Sequence, residues 1–171
     1  MALSELDLVL AFLVGGITLK LADLYAHRSR GFVFAALSAI CLGFLISANS
    51  VSSAIVLGII LAVTVAGKID QLNLLIGLGF TVVIAIILGF SFPDLPLLAM
   101  VTLSALIDEV GHEKITTRKY SGFFRFRMTL KIIMIMLTIL MQINLIYALG
   151  FLCFDFSYDA ITLIGEAYHW Q

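Results

Sequence analysis

Apolar residues gather in six runs, at about 6–22, 32–47, 51–67, 72–90, 97–107 and 128–154, with the charged residues in the stretches between them or close to the ends of the runs. A lone strand cannot satisfy its backbone in lipid, so each run predicts a membrane-embedded helix. The expected fold is an all-α, polytopic transmembrane helix bundle of about six spans, built as three helical hairpins in one domain over residues 1–171. The run at 97–107 is the short one. At ~1.5 Å per residue it covers about 16 Å, roughly half a hydrocarbon core. A helix from Pro96 through Glu113 would be long enough, and would carry Asp108, Glu109 and His112 into the membrane. A re-entrant or tilted segment is the other reading.

Small residues recur at every fourth position in the middle runs: Gly31, Ala35, Ala39, Gly43, Ser47; then Ala54, Gly58, Ala62, Ala66; then Gly77, Thr81, Ala85, Gly89. Such seams let helices approach closely in lipid and mark protein-facing sides. One step further reaches Asp70 and one step back reaches Asn73, so both are expected to face the bundle; capping of the intervening turn is the simpler alternative.

Charge then orients the bundle. All ten Lys and Arg residues lie within Lys20–Arg30, at Lys68, or within Lys114–Lys131, and the remaining connections carry none. Under the positive-inside rule this predicts an N-out/C-out topology, with Asp94, Asp155, Asp159 and Glu166 outside. The start of the chain, with Glu5 and Asp7, lacks the basic region of a secretory signal, so the first run is expected to be a retained span. Residues 114–127 interleave Tyr120, Phe123, Phe124 and Phe126 with Lys119, Arg125 and Arg127, which suits an amphipathic interfacial segment; a flap over the acidic cluster is the minority role.

Composition narrows the class. Side chains are 62% hydrophobic and 12% charged, mean hydropathy is +1.15, and a soluble domain would be nearer ~50% apolar. A net charge of −1 excludes the broad basic face of a nucleic-acid binder. Cys41 and Cys153 have no metal-ligand spacing and are expected to be packing residues.

The candidate chemistry sits on the side predicted to be cytoplasmic. Asp23 and His27 are four apart, as are Asp108 and His112, a spacing that stacks two side chains on one helical face. Glu109 and His112 form a Glu-x-x-His pair, but the second pair of a di-iron bundle is missing. Hard oxygen donors favour Mg²⁺ or Mn²⁺, whereas ligation by both imidazoles would favour Zn²⁺ or Fe²⁺. The sequence therefore suggests a metal-dependent membrane enzyme, a transferase or hydrolase, acting on a lipid-linked or isoprenoid phosphate or diphosphate at the cytoplasmic leaflet. Asp23, Asp70, Asp108 and Glu109 would hold the metal. His27, His112 and Glu113 would be catalytic, and Arg28, Arg30 and Lys68 would bind phosphate. The partners implied are membrane lipid and that substrate, with a homo-oligomer or larger complex compatible. A cation- or proton-coupled transporter and a structural subunit of a membrane complex are the rival classes.

No Gly-rich phosphate loop, zincin helix, nucleophile elbow or Cys-pair motif occurs in the sequence. The Asp-Gly-x-x-Ala-Arg signature of the CDP-alcohol phosphotransferases is not met either. Asp23 is followed by Leu24, and Arg28 alone falls in place.

Overall fold

The computed structural model describes residues 4–26, 28–114, 123, 126–140 and 143–167, with Glu113 and Lys114 as backbone. Among the described residues there are seven helices and no strands: α1 (Glu5–Leu24), α2 (Ser29–Ala48), α3 (Ser50–Val65), α4 (Leu72–Leu88), α5 (Leu95–Lys114), α6 (Met128–Leu140) and α7 (Leu145–Ala167). Three of them, α2, α5 over Leu95–His112, and α7, are long and apolar enough to cross a membrane, against the six spans expected. At 16, 17 and 13 residues, α3, α4 and α6 reach only ~20–26 Å of a ~30 Å hydrocarbon core. The interfacial segment expected at 114–127 lies almost wholly outside the described residues.

Local chemistry sets the helix ends. Ser4 and Asp7 close a capping box on α1. Asn49 has an extended backbone, and its Oδ1 accepts the amides of Val51 and Ser52 to start α3 directly after α2. Gly67, in the left-handed region at φ +69°, ends α3 in a Schellman turn: the Lys68 amide donates to Val63 O and the Gly67 amide to Thr64 O, both at 3.0 Å. Asp94 Oδ1 accepts the Leu97 amide at the start of α5. The short fifth run is thus completed by a helix that continues through Asp108, Glu109 and His112, as the length argument required.

The seams pack closely except at their last positions, where Ser47 and Ala66 are half-buried and Gly89, past the end of α4, is exposed. Gly31, Ala35, Ala39 and Gly43 are buried, and so are Ala54, Gly58, Ala62, Gly77, Thr81 and Ala85. A Cβ on Gly77 would lie 3.2 Å from that of Ala35, and one on Gly58 would lie 2.7 Å from Val101 Cγ1, so α4 rests closely on α2 and α5 on α3. Asn73 faces the bundle and donates to Ala22 O at 2.7 Å. Asp70 does not: it is exposed, because the turn at Gly67 ends the helical row before that residue is reached. Around these contacts α1 packs on α2 and α7, α2 on α3 and α4, and α6 on α5 and α7.

The run expected as a single last span breaks instead into α6 and α7. At ~1.5 Å per residue, residues 128–154 would form a rod of about 40 Å. Asn144 starts a new helix by accepting the Ile146 amide at 3.1 Å. The chain then doubles back. This corrects the placement of Asp155, Asp159 and Glu166, which were expected at the opposite end from the basic segments. Lys131 at the start of α6 is ion-paired with Asp155 and, at 3.3 Å, with Asp159. Glu166 lines the same cavity as Lys20, Asp23 and Lys68.

Candidate functional site

The ends of α1, α3, α5 and α7 and the starts of α2, α4 and α6 surround one cavity of about 640 Å³. That size lies within the range of small-molecule sites. Its deeper wall is apolar, from Phe12, Ala39, Leu42, Val56, Ile60 and Phe154. Toward the helix ends it becomes charged, with Lys20, Asp23, Lys68, Glu109, His112, Arg127, Tyr158, Asp159 and Glu166 along the wall. The Schellman turn after α3 is what brings Lys68 to this mouth.

The charged groups are organised in pairs. Lys20 Nζ lies 2.5 Å from Asp23 Oδ2, and Gln71 donates to the other Asp23 oxygen at 3.3 Å. Arg127 Nη2 donates to Glu109 Oε1 at 2.9 Å, and its Nη1 lies 3.7 Å from Asp155 Oδ1. The Tyr158 ring stands between two cations, Lys20 Nζ at 5.0 Å and Arg127 Cζ at 4.9 Å from its centroid. Burial alone would lower the Arg127 pKa, but Tyr158, Glu109 and Asp155 more than offset this, so the guanidinium stays above its ordinary value and charged. Its backbone lies in the left-handed region at φ 47°, a conformation that costs a non-glycine residue about 1 kcal/mol or more and persists where the surroundings over-determine it.

Five of the residues singled out from sequence reach this cavity: Asp23, Lys68, Asp108, Glu109 and His112. Three do not. Arg28 and Arg30 are exposed, with the Arg28 guanidinium 5.7 Å from the Tyr25 ring centroid, and Asp70 is exposed beyond the turn. His27 and the side chain of Glu113 lie outside the described residues.

The expected metal donors have other partners. Asp108 is 1% exposed, and its two oxygens accept the amides of Thr129 at 3.2 Å and Leu130 at 2.7 Å, so it caps α6 from a different helix. Glu109 holds Arg127, Asp23 holds Lys20, and Asp70 is elsewhere. Among the described residues no group of three or more His, Cys, Asp or Glu is arranged to hold a metal ion. Among the described residues, Asp23, Asp70, Asp108 and Glu109 therefore do not form one coordination sphere.

Sequence reasoning missed Arg127, Tyr158, Asp155, Asp159 and Lys131 as members of the site. A signal was present: Lys131 is an ionisable residue inside the apolar run 128–154 and Asp155 directly follows that run, and a charge in an apolar helix calls for a partner. Comparison of the chain with protein-family models, with curated proteins and with solved structures finds no match in any of the three.

Proposed function

We propose that the chain is a multi-pass membrane protein that takes up a lipid-linked or isoprenoid phosphate, with the hydrocarbon chain in the cavity and the phosphate at the charged mouth. One observation carries this reading: a single cavity runs from an apolar wall to three cations, Lys20, Lys68 and Arg127. Arg127 is the best formed of the three for phosphate, since Glu109 and Asp155 fix a guanidinium that offers further donors. By the loop-charge argument this mouth belongs to the cytoplasmic face. Asp23 and His112 are the groups placed to move a proton at a bound headgroup, should the protein transform its ligand as well as bind it. A divalent ion would need donors beyond the described set, among them His27 and Glu113.

Ser38 adds a second support. The residue lines the cavity, and its hydroxyl is buried with no hydrogen-bond partner among the described residues, a state that costs about 1–3 kcal/mol unless a small adjustment lets a ligand or water reach it. The test is ligand-induced thermal stabilisation of the purified chain by an isoprenoid phosphate, compared with the parent alcohol and with inorganic phosphate. Stabilisation by the phosphate ester alone, weakened in Arg127→Gln, is the expected result. Equal stabilisation by the alcohol would refute the role of the cations.

A transporter reading gains from the structure as well. Asp155, part-way along α7, and Lys131, near the start of α6, form a buried ion pair. Proton uptake into vesicles driven by a pH gradient, lost in Asp155→Asn, would favour it over the enzyme.

A further inference from the structure

We infer that the cavity is loaded sideways from the bilayer, through an opening between α3 and α4, and that its occupant enters as the hydrocarbon chain of a membrane lipid. The inference deepens the functional reading above and rests on it for the headgroup alone.

α3 and α4 are consecutive, yet they do not pack together. Each leans on α2, and no Cα of α3 comes within 8 Å of a Cα of α4. The seams explain why. Gly77 and Thr81 of α4 are spent on Ala35 and Gly43 of α2, and Gly58 of α3 is spent on Val101 of α5, so neither helix keeps a small face for the other. Larger side chains flank the gap. Ile60 and Val63 line the cavity from α3, and Leu74 and Leu78 line it from α4; all four are half-buried rather than sealed against a neighbour.

The outer surfaces on both sides continue the apolar path. Leu61 and Val65 on α3, and Leu75 and Ile76 on α4, are exposed. A hydrocarbon chain can therefore pass from the bilayer into the cavity without leaving apolar surroundings. Entry from water would draw the same chain past Lys20, Asp23 and Arg127, where it would strip solvent from charged groups that it cannot replace. The connection at residues 66–71 spans the end of the gap and holds Lys68 and Ile69 against the cavity, so a headgroup can travel along this edge while its chain moves between the helices.

The test uses the intact chain in vesicles of phosphatidylcholine and phosphatidylglycerol whose acyl chains end in a diazirine, with photolabelled residues mapped by mass spectrometry. Labelling is expected on the outer faces and also on the deep wall, at Ala39 and Leu42. Val63→Trp, or Ile60→Trp combined with Leu78→Trp, narrows the opening. Either variant should lose the deep-wall label while Phe80 and Ile86, exposed on α4, stay labelled, which shows that the protein is still folded and inserted. Label confined to outer faces in the unaltered chain, or deep label that survives both Trp variants, overturns the proposal. Because these vesicles contain no isoprenoid phosphate, deep labelling does not depend on how the mouth treats that headgroup. Failure of added isoprenoid phosphate to compete would count against the functional reading and leave the lateral entrance standing.

Discussion

Replacing Asp108 separates a structural carboxylate from a metal ligand. In Asp108→Ala the amides of Thr129 and Leu130, which it now accepts at 3.2 and 2.7 Å, lose their acceptor at the buried start of α6. An orphaned buried donor costs about 1–3 kcal/mol, and the lost charge at a helix N-terminus adds roughly 0.3–1 kcal/mol. Partial repair by water or a shift of the first turn keeps the sum below the maximum, so a loss of about 3 kcal/mol is expected. Asp108→Asn keeps one oxygen that can accept, and its cost should be nearer ~1 kcal/mol. Unfolding by graded SDS in mixed micelles measures both. Hydrogen exchange at Thr129 and Leu130 should quicken in the alanine variant before the rest of α6 is affected. A metal ligand would behave otherwise: both variants would forfeit metal binding, and neither would weaken the metal-free protein much. Equal stability of the alanine variant and the unaltered chain would refute the capping role.

Gly58→Leu should destabilise the bundle by ~2 kcal/mol or more in the same unfolding assay, because even a Cβ there meets Val101 Cγ1 at 2.7 Å, whereas the half-buried Ile59→Leu should change little. Ser38→Ala should leave the ligand-free protein as stable or slightly more so, since it removes an unpartnered buried hydroxyl, but should reduce stabilisation by the bound isoprenoid phosphate. Lys131→Met leaves Asp155, which is 1% exposed, with only the longer contact to Arg127 at 3.7 Å among the described residues, and should cost about 3 kcal/mol; adding Asp155→Leu should recover much of that, as a double-mutant cycle would show. For topology, a cysteine at Ser50 should react with an impermeant reagent from outside and one at Ala167 should not, because α7 ends beside the basic mouth, where Glu166 lines the cavity.

Helix positions were largely legible, since the seams and turn residues act locally. Every predicted run contains a helix, and Gly31 through Gly43 and Ala54 through Ala62 face neighbours because close approach leaves room only for small side chains. What the pattern hid was the break between α6 and α7. Gln142 and Asn144 are uncharged and flanked by long apolar stretches, so the residues from 128 to 154 read as one apolar rod. The signals were its excess length and an Asn able to start a new helix, and together they outweigh continuity of hydropathy. That one missed turn inverted the expected side of every acidic residue after it.

The site followed from the same error. With Asp155 and Asp159 assigned to the far end, Lys131 and Arg127 lack their acidic partners, and Asp23, Asp108 and Glu109 read as metal donors instead of partners for Lys20, for backbone amides and for Arg127. The returning helix supplies the missing half of the balance. It places Asp155 and Asp159 on Lys131, and Tyr158 between Lys20 and Arg127, while Arg127 reaches across to Glu109. Each carboxylate that seemed to need an ion then has a guanidinium, an ammonium or a pair of backbone amides. In a low-dielectric interior each buried charge needs such a partner, because an unpaired one keeps most of its desolvation penalty. Lys20, Lys68 and Arg127 thus stand at one mouth beside carboxylates whose partners come from α1, from around the start of α6 and from the backbone, an arrangement that no single segment of the sequence displays.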